Sequence, residues 1–157
     1  MSEAKGIDAI DKRILRIVQK DACRSISKIA AQVALSQTPC WKRLQRLKAS
    51  GVITRQVALV DAAKIGLGTT VFVSIAVGEH SDKALARFAK AVAAMDEVMD
   101  FYRMAGDVEY VLRVVVPNAA AFDAFYKRLI ELMPLKYVTS RFALEAFKSE
   151  TALPIKD

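Results

Sequence analysis

Residues 25–51 read SISKIAAQVALSQTPCWKRLQRLKASG. In the first part Ile26, Ile29, Ala30 and Val33 recur at i, i+3, i+4 and i+7, so one stripe of a short helix is apolar and must pack on something. Ser25 stands at its N-cap position. The second part opens Ser36-Gln37-Thr38-Pro39. Ser36 is the N-cap candidate, Pro39 falls in the first turn where a missing N–H costs nothing, and Gly51 marks the C-terminal stop. Two short helices joined by a tight turn are the outline of a helix-turn-helix.

The second helix sorts its residues by face. At about 100° per residue Cys40, Leu44 and Leu47 share one side, while Thr38, Lys42, Gln45 and Ala49 point the other way, flanked by Trp41 and Arg46. Cations beside amide and hydroxyl groups are what major-groove readout needs. The same face also suits a basic helix that only meets water. Charge along the chain separates the two readings. Twelve of the 24 Lys and Arg residues but only four of the 17 Asp and Glu lie in residues 1–60, so that segment carries +8 and the remainder −1 of the net +7. A basic segment joined to a near-neutral remainder implies a polyanion partner for the first part alone. No stretch approaches the roughly 18 apolar residues of a membrane span, and the basic helices lack a broad apolar face for an interface, so nucleic acid is expected and a membrane is not.

At 157 residues and 54% hydrophobic content the chain can bury a real core, as one domain or two small ones. The start, MSEAKGIDAID, has no apolar segment of the kind that directs export, which gives a cytoplasmic expectation. Cys23 and Cys40 lack C-x-x-C spacing and are expected to stay reduced; no metal site and no cofactor are implied. His80, the only histidine, reads as a residue near a helix start rather than a ligand. No nucleophile-base pair is present, so an enzyme is not expected.

Ahead of the helix pair, Ile10, Ile14, Ile17 and Val18 form another stripe with Asp8 as its cap, completing a three-helix core. Beyond it, Thr54 to Val60 is β-prone and reads as a wing or linker strand, and Gly66 and Gly68 mark a boundary. Then the rhythm changes. Thr69 to Val77 is a β-branched run, and Ser81 to Ala94 is helical with Leu85, Phe88, Ala89 and Val92 on one stripe. Val98 to Met104 and Val108 to Val116 are strands about an Ala105-Gly106-Asp107 turn. A helix follows Pro117-Asn118 with Phe122, Phe125, Tyr126, Leu129 and Ile130 inward, and Tyr137 to Phe147 closes as a strand. The expected class is α+β: a winged helix-turn-helix (residues 1–53), a linker strand and hinge (54–68), and a ferredoxin-like βαββαβ domain (69–157) with both helices on one sheet face. The other sheet face needs a cover, and a second copy is the simplest one.

The motifs D-x-x-I-x-x-I-V-Q-x-D-A, S-x-S-K-I-A, L-S-Q-T-P-C-W-K-R-L-x-R-L and K-I-G-L-G in the first half resemble the Lrp/AsnC (feast/famine) transcription regulators. In the second half R-M-A-G-D-V-E-Y-V-L-R-V-V-V-P, D-A-F-Y-K-R-L and F-A-L-E-x-x-K-x-x-T-A-L-P continue the resemblance to the end of the chain. It implies a DNA-binding regulator of amino-acid metabolism. Ser36, Gln37, Thr38, Trp41, Lys42 and Arg46 would face bases and nearby phosphates of double-stranded DNA, with Arg43 holding the backbone. It also implies a small amino-acid effector held between dimers by Met104, Ala105, Gly106, Asp107 and Glu109, with Thr139 and Ser140 adding hydroxyls. Where the family has G-D-Y-D, this chain reads Gly106-Asp107-Val108-Glu109. By its residues alone the same loop also reads as an ordinary hairpin turn. Similarity to a branch linked to cysteine catabolism makes cysteine the expected effector. The resemblance further implies a homodimer assembling to a tetramer or octamer. A low-specificity, nucleoid-type DNA-organising protein without effector is the alternative.

Overall fold

In the computed structural model, which describes residues 6–78 and 81–156, the first helix, α1 (Ala9–Val18), opens on a reciprocal cap. The Asp11 N–H donates to Asp8 Oδ1 at 2.8 Å and the Asp8 N–H to Asp11 Oδ2 at 3.1 Å. This satisfies two N–H groups that a helix start leaves without partners. The helix-turn-helix follows as α2 (Ile26–Gln32) and α3 (Gln37–Ala49). Ser25 and Ser36 occupy the expected cap positions with extended backbones, but neither side chain makes the capping bond; the Ser25 hydroxyl shares a hydrogen bond with that of Ser27 instead. The turn is tightened at Ala34, whose φ of +56° lies in the left-handed region, a conformation costing an L-residue about 1–2 kcal/mol. Gly51, at φ +76°, ends α3 as expected.

The apolar stripes meet in one core of Ile14, Leu15, Val18, Ile29, Ala30, Val33, Cys40 and Leu47, with Ile10, Ile17, Ile26 and Leu44 against it. Cys40 is fully buried there and burial pushes its thiol up from the ordinary value, which keeps it protonated and unreactive. Cys23 is exposed, and both thiols are free.

Two departures from expectation concern this unit. Thr54 to Val60 forms no strand: it is exposed along its length, with Val57, Leu59 and Val60 at 59%, 73% and 65%. β-propensity records fit to a neighbouring strand, and within one copy the segment has no ladder to join. The second domain was also expected to run to residue 157. Instead the chain divides into one unit reaching Leu59 and taking in the stretch from Phe147, and another of Val60–Ala146. The tail is bonded to the C-terminal end of α1. Arg16 Nε donates to the Ile155 carbonyl, Gln19 Nε2 donates to the Leu153 carbonyl, and the Leu153 N–H returns a bond to Gln19 Oε1, each at 2.9 Å. Ile155 packs on the helical core.

The other unit begins with a single 3-10 turn (Ala63–Ile65) stopped by Gly66 at φ +81°. It continues as β1 (Thr69–Val77), α4 (Asp82–Ala93), β2 (Val98–Arg103), β3 (Tyr110–Val116), α5 (Ala119–Glu131) and β4 (Leu135–Phe142). Ser81 and Asn118 cap α4 and α5 by accepting from the Ala84 and Ala121 N–H groups. The strands order β2-β3-β1-β4, all neighbours antiparallel, the arrangement expected of βαββαβ. Val71, Val73, Ile75 and Val77 of β1 and Tyr110, Leu112, Val114 and Val116 of β3 form one core with Phe88 and Val92 of α4 and Phe122, Phe125 and Leu129 of α5. Strand alternation sends the intervening residues to the opposite face. Ile130, expected inward, is 42% exposed, and the last strand stops at Phe142 rather than Phe147. His80 lies outside the described residues.

Candidate nucleic-acid interface and ligand loop

Helix α3 buries Cys40 and Leu47 and leaves Gln37, Thr38, Trp41, Lys42, Gln45 and Arg46 exposed. Ser36, at its N-cap, is exposed as well. The face read from the sequence is therefore displayed as a contiguous strip. What orients it was not singled out by sequence reasoning. Asp11 of α1 is fully buried and is the partner of both arginines of α3: Arg43 Nη1 lies 2.9 Å from Asp11 Oδ1, and Arg46 pairs with Asp11 Oδ2. Arg43 also reaches Asp8 Oδ2 at 2.5 Å. The Asp11 N–H bond, then the Arg43 guanidinium, hold the Asp8 carboxyl below its ordinary value.

One buried carboxylate thus closes the cap of α1 and clamps α3 through two guanidinium groups. Arg43 is engaged in this clamp, whereas the resemblance had given it to the DNA backbone. Arg46 keeps half its side chain in solvent while paired. Gln37, Thr38, Trp41, Lys42 and Gln45 make no side-chain bond among the described residues, which leaves their polar groups available. The available signal for Asp11 in the sequence was its position three residues after Asp8, the spacing of a capping box.

In the second unit, the loop Met104–Glu109 joins β2 to β3. The Met104 N–H donates to the Glu109 carbonyl at 2.8 Å and the Glu109 N–H to the Ile75 carbonyl at 3.0 Å. Gly106 sits at φ +142°, a conformation that L side chains rarely adopt, and nothing lies within 4 Å of where a Cβ would stand. The glycine is therefore needed by the backbone and leaves open space above it. The two loop carboxylates differ. Glu109 accepts from the Val77 N–H at 3.2 Å and so terminates β1, whereas Asp107 makes no side-chain bond among the described residues. The Asp107 carbonyl accepts from the Tyr137 hydroxyl at 2.9 Å, which ties the loop to β4; Tyr137 was not picked out from the sequence.

Met104 and Ala105 are exposed in the loop. Thr139 pairs with Ser74 and Ser140 with Val73. Val73 belongs to the core under the helices, so Ser140 faces that side, and Thr139 shares the open face with Tyr137. A small ligand touches at most one of the two hydroxyls. On the open face Arg113 pairs with Asp100, Arg141 Nη1 donates to Ser74 Oγ at 3.1 Å, and Phe72 and Tyr102 stand 43% and 60% exposed.

Among the described residues no cluster of metal-ligating side chains occurs, and no helix is long and apolar enough to cross a membrane.

Comparison with known proteins bears on both sites. Residues 7–54 match the winged helix-turn-helix DNA-binding family and residues 70–153 the Lrp/AsnC ligand binding domain. The DNA-binding transcriptional activator DecR of Escherichia coli K12 is 46% identical over 151 residues, covering 96% of this chain and 99% of that protein. A crystal structure of an AsnC family transcriptional regulator from Agrobacterium tumefaciens superimposes with a TM-score of 0.91 at 49% identity, covering 94% of this chain and 97% of that one. The regulator NMB0573 of Neisseria meningitidis, solved as a complex with L-methionine, gives 0.90 at 27% identity, covering 95% and 97%. Matches that span both units at this level place the function as well as the fold: the chain belongs to the Lrp/AsnC family of DNA-binding transcriptional regulators.

Proposed function

We propose that the chain is a sequence-specific regulator of amino-acid metabolism whose DNA binding responds to a small amino acid, with cysteine the first candidate. The observation that carries this reading is the exposed strip Gln37, Thr38, Trp41, Lys42 and Gln45 on a helix clamped from behind through Asp11. Residues 1–53 read the DNA, 54–68 connect, and residues 69–146 bind the effector and assemble copies. Two α3 helices in a dimer enter successive major grooves about 34 Å apart. A second copy covers the open sheet face, where Phe72 and Tyr102 lie exposed, and dimers assemble further into a tetramer or octamer. The NMB0573–methionine complex supports an amino acid as the ligand class, and the unengaged Asp107 carboxylate suits an ammonium group.

Two outcomes test the reading. Lys42→Ala removes one exposed cation, so the slope of log affinity against log salt is expected to fall by about one; an unchanged slope in a fluorescence-anisotropy titration counts against the interface. Asp107→Ala is expected to weaken effector binding by roughly tenfold, about 1.4 kcal/mol, with DNA affinity in the absence of effector unchanged. Calorimetry returning the wild-type constant sinks the loop assignment. A footprint confined to defined sites, rather than spread evenly over arbitrary DNA, separates the regulator from a nucleoid-type coating protein.

A further inference from the structure

We propose that Asp11 is a specificity-determining residue of the DNA interface: it holds the Arg46 guanidinium away from phosphates, so that α3 meets DNA through its uncharged side chains and Lys42. The inference rests on the sequence-specific reading above and deepens it.

Helix α3 carries Lys42, Arg43, Arg46 and Lys48 and no acidic residue. Taken by itself such a helix binds the backbone of any duplex, because Lys and Arg contacts to phosphates carry no sequence information. The tertiary structure withdraws the two arginines from that use. The Asp8 and Asp11 carboxylates face the Arg43 and Arg46 guanidinium groups, two anions for two cations, along the edge of α3 that adjoins α1. Arg43 reaches both acids, whereas Arg46 has Asp11 alone among the described residues.

Burial decides which partner keeps Arg46. The Asp11 side chain is 0% exposed and that of Arg46 53%. A DNA phosphate that drew Arg46 outward would leave the interior carboxylate with one guanidinium fewer, a loss that is large where water cannot reach the anion. Salt screens an exposed phosphate contact and hardly touches a pair with a buried member. Arg46 therefore stays turned toward α1. The exposed cation left beside Thr38, Trp41 and Gln45 is Lys42, which forms no ion pair among the described residues.

The consequence is a ratio of affinities. A released Arg46 adds affinity for every sequence alike. A helix no longer clamped also loses the preset orientation that matched base contacts require and unmatched binding does not. Asp11 thus lowers background binding and supports matched binding at the same time.

Fluorescence anisotropy on the full chain tests this with two probes, a labelled poly(dI-dC) duplex and a duplex that the wild-type protein itself enriches from a random pool. Asp11→Asn keeps an oxygen for the Asp8 N–H. It is expected to bind poly(dI-dC) severalfold more tightly at low salt, with a slope of log affinity against log salt steeper by about one, and to lose most of the preference for the enriched duplex. Arg46→Met leaves Asp11 paired with Arg43 and is expected to keep the wild-type slope on poly(dI-dC), unlike Lys42→Ala. In the Asp11→Asn background the same substitution is expected to abolish the added slope. A purely structural role for Asp11 has the opposite sign: weaker binding to both probes without a steeper slope, in a variant whose Trp41 emission shows it folded, overturns the proposal. So does a slope that falls by about one in Arg46→Met alone, a measurement that stands even where Asp11→Asn does not fold. Either result leaves the sequence-specific reading intact, whereas a wild-type protein that enriches no sequence overturns both.

Discussion

Asp11→Ala is expected to destabilise the helical unit by about 2 kcal/mol, and replacing both Arg43 and Arg46 by methionine by more, about 3–5 kcal/mol. The order follows from burial. Asp11 is fully buried, whereas the side chains of Arg43 and Arg46 are 27% and 53% exposed. Deleting the carboxylate frees two cations that can reach water, so its cost is the lost charge-assisted bonds plus the cap bond to the Asp8 N–H. Deleting both cations leaves a carboxylate in the interior with only its cap bond. Trp41, the only tryptophan in the chain, sits on α3, so its emission follows this unit during urea unfolding. A double variant no less stable than Asp11→Ala, or an Asp11→Ala protein with the wild-type midpoint, overturns the clamp.

The second large effect is expected from Phe88→Ala in the other unit, at about 3–5 kcal/mol. Phe88 is 2% exposed and sits edge-on to Phe101 at 6.4 Å between centroids and tilted on Tyr110 at 5.6 Å. The ring thus anchors α4 to both strands of the hairpin. Its removal leaves a cavity that the sheet cannot close by moving, and loses the two aromatic contacts besides. Hydrogen exchange is expected to accelerate first in α4 and β2, and Phe88→Leu to recover most of the loss. Protection unchanged in Phe88→Ala means that α4 is held by contacts other than this ring.

Helix positions, the two-unit order and the exposed strip of α3 were legible because each is written in local spacing. Ile14 and Val18, Ile29 and Val33, and Phe88 and Val92 recur at helical intervals, and Asp8, Ser81 and Asn118 stand at helix starts. Less legible was the role of the arginines. Their charge marks them as DNA contacts on any helical wheel, and only a buried carboxylate 32 and 35 residues away turns them into a clamp.

Local periodicity and capping, acting over three or four residues, therefore determined the elements, their order and the family pattern from sequence alone. Tertiary structure decided what those residues do to one another. It sent Ser140 and Thr139 to opposite faces, bonded Tyr137 to the Asp107 carbonyl, returned the tail to Arg16 and Gln19, and left Thr54 to Val60 without a ladder. The physical reason is separation along the chain. Partners 30 to 139 residues apart leave no spacing signal and meet only when burial brings their elements together.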